Sequence, residues 1–206
     1  MKTTLLALII VVLVSIYGAT LLAVLHPHVS PAYKAYYIDH ISSVWEPDHY
    51  PGTPEQGIVF SRNGVPSWVQ FIFGFSYPEG WGRWTDQNVD SVAGLVFSQS
   101  FNGQVCVDFT ARAVPWVVGK TLTVRMGGQT HLIQVAATDL SSYQVQFTDL
   151  PATNKLELVL PKALPRVLDV APTNRDTRRL GLALDTLQIL PGACSVAEVT
   201  LHHRGS

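Results

Sequence analysis

The densest concentration of chemically capable side chains is the stretch GFSYPEGWGRWTD, residues 74–86. Within it Tyr77, Trp81 and Trp84 are interleaved with Glu79, Arg83 and Asp86. Indole and phenol faces stack on the apolar face of a sugar ring. Carboxylates and a guanidinium supply the paired hydrogen bonds that vicinal hydroxyls accept and donate. A second stretch, APTNRDTRRLGLALDTLQIL at 171–190, places Arg175, Asp176, Arg178 and Arg179 in a turn ahead of a strongly apolar run. A guanidinium fork there suits a phosphate or a carboxylate. Each cluster also has a structural alternative. Trp81 and Trp84 would cap the core while Arg83 pairs with Glu79 or another acid, and the Asp–Arg group would latch the start of a strand. The ligand-binding candidates are therefore Tyr77, Glu79, Trp81, Arg83, Trp84, Asp86, Asp176 and Arg178.

Catalytic patterns are not found. The chain has no G-x-S-x-G elbow, no H-E-x-x-H, no P-loop and no G-x-G-x-x-G. A glycosidase pair would have to combine Glu79 with Asp86, Asp108 or Asp176, and any β protein with 15 acidic residues offers such combinations. No catalytic residue is assigned. Of the seven histidines, close pairs occur only at His26/His28 and His202/His203. Clustered acids for calcium are missing as well, so neither a metal nor a cofactor is expected. A formal net charge of −1 carries no basic surplus, which argues against nucleic acid. Cys106 and Cys194 are too few for a cysteine-pair zinc site. In an oxidising compartment they can close one long loop, which the sequence leaves open.

The elements that must position these groups follow from the wider pattern. The 206 residues are 47% hydrophobic and only 14% charged. From Thr3 to Leu25 run 23 residues without a charge, and a helix needs about 20 to cross a bilayer. A cleaved leader fits poorly, because a cut after Ala19 would put Tyr17 where a small residue is required. Residues 1–25 are thus expected to form a retained transmembrane signal anchor. Its very short N-terminal flank places the remainder on the exported side. Residues 26–54 read as a juxtamembrane linker punctuated by Pro27, Pro31, Pro47, Pro51 and Pro54. Within it Ala32 to Trp45 is a candidate amphipathic helix with interfacial aromatics. Beyond it, β-rich runs occupy 57–62, 67–75, 92–98, 104–113, 120–126, 129–136, 143–150, 155–161 and 179–190. Alternation in Val105, Val107 and Phe109, and in Leu156, Leu158 and Leu160, marks strands with one buried face. Gly127-Gly128 between two runs predicts a hairpin. The expected fold is all-β, an antiparallel β-sandwich or jelly roll over 55–200 preceded by one transmembrane helix. Residues 74–86 are expected as a loop between strands.

The two chemically dense stretches also carry a resemblance. Glu79, Trp81, Gly82, Arg83, Trp84 and Thr85, followed by Asp176, Arg178, Leu180 and Gly181, match an E-x-W-G-R-W-(T/S) and a D-x-R-x-L-G pattern. With these the sequence resembles the β-sandwich module appended to bacterial cell-envelope membrane glycosyltransferases and phosphoglycerol transferases, over roughly residues 57–190. The resemblance implies a jelly-roll-like, carbohydrate-binding type of module working on envelope glycans. It does not make these residues catalytic. In such proteins the module accompanies a large catalytic or multi-span region. Here a single anchor precedes it, so either any catalytic partner is another chain or the module acts alone.

Two functions lead, with an enzyme a distant third. One is a membrane-anchored, non-catalytic accessory protein of the bacterial inner membrane, single-pass, with a periplasmic sandwich that binds a glycan or lipid-linked sugar and assists a transferase. The other is a structural interaction subunit of a multi-span complex, with no ligand of its own. The small residues Ala7, Ser15, Gly18, Ala19 and Ala23 would then let the span pack closely against other helices.

Overall fold

The computed structural model describes residues 2–25, 44–45 and 48–194. A 24-residue helix, α1 (Lys2–Leu25), comes first. Its described side chains, Ile10 to Leu22 and Val24, are all exposed. Ser15 and Thr20 donate their hydroxyls to the carbonyls of Val11 and Ile16, one turn back, so both polar groups are satisfied within the helix. Among the described residues no helix is long and apolar enough to cross a membrane. In α1 the described side chains cover only part of the charge-free run. Most of the expected amphipathic helix at 32–45 and the pairs His26/His28 and His202/His203 lie outside the described residues. The end of that expected helix is described, and it is extended. Strand β1 (Val44–Trp45) pairs antiparallel with the strand at Val69–Phe73.

The remainder is almost entirely β. Two dipeptide strands, β2 (His49–Tyr50) and β4 (Val65–Pro66), pair in parallel, and His49 Nε2 lies 2.7 Å from the Val69 carbonyl. The other strands are β3 (Ile58–Val59), β5 (Val69–Phe73), β6 (Phe75–Glu79), β7 (Gly82–Asp86), β8 (Val92–Ala113), β9 (Thr121–Met126), β10 (Gln129–Gln134), β11 (Ser141–Val159) and β12 (Leu180–Pro191). A short helix, α2 (Val167–Val170), precedes β12.

Two long strands organise the sheet. β8 and β11 pair antiparallel along nearly their whole lengths, absorbing what the sequence suggested as four separate strands. The first part of β8 takes β5 as its other neighbour, and its last part takes β12. The last part of β11 pairs with β9. One leaf therefore reads β1-β5-β8-β11-β9-β10 and the other β11-β8-β12-β7-β6, with β3 added to β12. A single core cluster collects Ile72, Leu95, Val124 and Leu156 from the first leaf and Val107, Phe109, Phe147 and Leu187 from the second. The result is sandwich-like.

Bulges keep that core continuous. In β11 the buried residues fall at odd positions, Tyr143, Val145 and Phe147, and then at even ones, Leu150, Leu156 and Leu158. The change follows register shifts in the pairing with β8 that begin between Phe147 and Leu150. β12 does the same, with Leu180, Leu182 and Leu184 buried before a shift and Leu187 and Ile189 after it. One extra residue swaps the faces of a strand, so each bulge returns apolar side chains to the core.

Cys106 and Cys194 form a disulfide that fastens β8 to the chain just beyond β12 across 88 residues. Closing a loop of that length lowers the entropy of the unfolded chain by an amount worth on the order of 4 kcal/mol.

Candidate functional site

Residues 74–86 are not a loop. They form the β6–β7 hairpin, with Phe75 opposite Thr85 and Pro78 opposite Arg83, turning through Gly80 and Trp81. Pro78 and the two glycines hide the strand signal in the sequence, since neither residue type favours a ladder. The hairpin starts at a sharp corner. Gly74 has φ +72°, and a Cβ there would collide with the backbone of Val92 and Ala93. Only glycine turns the chain from β5 into β6 so close to β8.

A cavity of about 460 Å³ opens at this corner. Phe73, Phe75, Pro78 and Val89 give it apolar walls, while Ser76, Tyr77, Arg83, Asp86 and Arg178 supply the polar groups. The chain's two dense stretches meet here, since Arg178 stands 99 residues from Glu79 in sequence and bonds to it.

Arg178 is held from several sides. Its Nε reaches both carboxylate oxygens of Asp176 at 3.0 Å, and Nη2 reaches Oδ2 at 2.7 Å. Nη1 donates to Glu79 Oε1 at 2.8 Å and to Ser76 Oγ at 3.3 Å. Hydrogen bonding to Arg178 holds the Asp176 carboxyl below the usual carboxylate range, against some desolvation. The same contact to Asp176, helped by Glu79, pushes the guanidinium further up. The turn carrying both residues is pinned by α2, whose Val167 and Leu168 backbone N–H groups donate to the carbonyls of Arg178 and Asp176.

Asp86 does a different job. It is 4% exposed, and its Oδ1 accepts the backbone N–H groups of Asn88 at 2.9 Å and Arg179 at 3.0 Å. It thereby ties the turn after β7 to the entry of β12. Gln87 and Arg179 extend the tie, bonding to Pro161 and to Leu164. Arg83 is 2% exposed, and burial lowers its pKa to about 10. The guanidinium still carries its charge at neutral pH.

The aromatic candidates separate. Tyr77 is 87% exposed on the cavity wall. Trp81 is 36% exposed at the hairpin turn, and its ring meets Trp84 edge-on with centroids 5.1 Å apart. Trp84 is half-buried against the core, as the structural alternative anticipated. The structure thus gathers Tyr77, Arg83, Asp86 and Arg178 around one cavity, with Glu79 and Asp176 behind Arg178. It leaves Trp81 and Trp84 beside the cavity rather than lining it. Ser76, Phe73, Phe75, Pro78 and Val89 were not singled out from the sequence. Phe75, Ser76 and Pro78, inside the dense stretch, carried some signal.

The core, the corner and both chemical stretches lie within residues 47–191, which match the model of a domain of unknown function, DUF7024. The chain belongs to the DUF7024 family. Phosphoglycerol transferase I of Salmonella typhimurium and of Salmonella typhi are each 22% identical over 132 residues, covering 64% of this chain and 17% of theirs. The chain therefore spans about a sixth of the length of these relatives. Among solved structures, a family 29 carbohydrate-binding module from Piromyces equi is similar at a TM-score of 0.44 with 7% identity, covering 66% of this chain and 90% of that one. Another family 29 module gives 0.39 with 12% identity, covering 65% and 84%. The resemblance read from the two motifs, to a module found in phosphoglycerol transferases, stands with the match to these relatives.

Proposed function

We propose that this DUF7024 chain is a membrane-anchored, non-catalytic accessory protein whose sandwich, of the jelly-roll type, binds an envelope glycan or lipid-linked sugar. The carrying observation is the corner cavity, where apolar walls and an exposed tyrosine meet hydrogen-bonding groups held in fixed positions. The non-catalytic reading rests on how the acids are engaged. Asp176 and Glu79 are bonded to Arg178, and Asp86 accepts two backbone N–H groups. A general acid or base needs a proton position facing substrate.

The charge-free run from Thr3 to Leu25 supports an inner-membrane anchor, and the Cys106–Cys194 disulfide supports an oxidising, periplasmic location. Assistance to a glycosyl- or phosphoglycerol-type transferase is suggested by the relatives' phosphoglycerol transferase activity. The test is calorimetric titration of the full-length protein in detergent micelles with gluco- and manno-oligosaccharides and polyprenyl-phosphate sugars. Saturable binding weakened about tenfold by Tyr77→Ala is expected, since an exposed ring contributes stacking without supporting the core. No saturable binding by any of these probes would sink the glycan reading. Co-purification from native membranes without a stoichiometric transferase would remove the accessory role.

A further inference from the structure

Building on the glycan-binding reading, we infer that the corner cavity selects a neutral, hydroxyl-bearing sugar face and rejects a phosphate or phosphoglycerol group. Arginines beside a cavity, in a chain related to phosphoglycerol transferases, suggest the opposite at first sight. The hydrogen bonding of Arg178 and the charge balance of the wall argue against it.

A guanidinium binds phosphate through its fork of parallel N–H groups. In Arg178 the fork is taken. Nε and Nη2 donate to Asp176, and Nη1 donates to Glu79 and Ser76. Of the five N–H bonds a guanidinium offers, these contacts use all but one on Nη2. A single N–H meets one hydroxyl oxygen well. It cannot grip a phosphate unless the Asp176 carboxylate is displaced.

Charge points the same way. Arg178 with Asp176 and Glu79 sums to −1, and the other charged groups on the cavity wall, Arg83 and Asp86, are of opposite sign. A phosphate entering here would lose its hydration against the apolar walls of Ile72, Phe73, Phe75 and Val89 while facing a net negative surround. A sugar brings no charge to desolvate, and its apolar face suits those walls.

The test uses full-length protein in micelles and matched pairs of gluco- and manno-oligosaccharides, each neutral and as its phosphoglycerol ester, titrated at low and high salt. The neutral member of a binding pair is expected to bind at least about tenfold more tightly, because like charge at a contact is strongly unfavourable. Its affinity should be insensitive to salt, whereas the ester should gain when salt screens the repulsion. Asp176→Asn and Glu79→Gln each remove a negative charge and release donors of Arg178, so each should narrow the gap. Glu79→Gln keeps the Asp176 latch intact and reads the effect even if Asp176→Asn fails to fold. Equal or tighter binding of the ester, or a gap that both variants leave unchanged, overturns the inference while leaving glycan binding standing. Failure of every neutral sugar and every ester to bind overturns the glycan reading itself, and this inference with it.

Discussion

The cavity corner and the β9–β10 hairpin lie at opposite ends of the strand order, and both bring basic and acidic side chains together. At the hairpin end, Lys155 and Glu157 pair at 2.6 Å from alternate positions of β11, beside a shallow depression of about 240 Å³. At the corner, Arg178 collects Asp176, Glu79 and Ser76 through five contacts between 2.7 and 3.3 Å. The hairpin pair follows from strand alternation and is partly exposed, with Lys155 Nζ also 5.2 Å from the Phe73 ring, and an ion pair of that kind contributes little. The corner network joins chain segments about a hundred residues apart and fixes a guanidinium in one orientation. Fixed orientation is what a binding site requires, so local charge pairing and long-range charge pairing are different things despite their similar composition.

The sharpest way to break this comparison is through the turn glycines. Gly74→Ala places a methyl group against the backbone of Val92 and Ala93 at φ +72°, and about 3 kcal/mol of stability should be lost. Gly128 has a similar φ of +81°, but nothing stands within 4 Å of the added carbon. Gly128→Ala should cost only about 1 kcal/mol, the penalty of the left-handed backbone itself. Urea unfolding of both variants measures the difference. Equal losses would mean that the corner is no more tightly built than the hairpin.

Asp86 comes next in size. Asp86→Ala leaves the backbone N–H groups of Asn88 and Arg179 without their acceptor in a buried turn, and about 2 kcal/mol should go. Asp86→Asn retains an oxygen at Oδ1 and should recover most of it. If alanine and asparagine destabilise alike, the carboxylate's charge rather than its acceptor geometry holds the turn.

The same contrast explains what the sequence reveals. Alternation at Val105, Val107 and Phe109 and the Gly127-Gly128 turn announce strands and a hairpin, because both signals are local. The merging of four β runs into β8 and β11 is not legible, since the exposed stretch between Ser98 and Gln104 looks like a connection and only partner strands make it sheet. β6 and β7 were missed because Pro78, Gly80 and Gly82 read as loop. The two chemical stretches were visible by composition, and so was the possibility that the Asp–Arg group is a latch. What composition could not supply is that the latch lies against the cavity: Arg178 lines it only because Glu79 and Ser76 reach it across the fold.

Acid sensitivity sharpens the comparison further. The Asp176 carboxyl titrates below its unfolded value because Arg178 bonds to it. A carboxylate held low contributes stability that is complete above about pH 5, clear of the unfolded value of about 4, and is lost as pH falls through the folded value. Melting temperatures followed from pH 6 down to pH 2 should therefore fall more gently in Asp176→Asn than in the parent chain. Parallel curves would show that the Arg178 contact contributes no differential stability.

The smallest effect belongs to the hairpin end. Glu157→Gln removes the charge of a pair whose side chains are 39% and 25% exposed, and stability should change by less than about 0.5 kcal/mol. Leu156, between the paired residues, is fully buried and holds the strand regardless of what its neighbours do. High salt should shrink even that small change, because screening weakens partly exposed ion pairs. A loss approaching that of Asp86→Ala would mean that Lys155 and Glu157 also hold tertiary structure. The division between a solvated pair and a built network would then disappear.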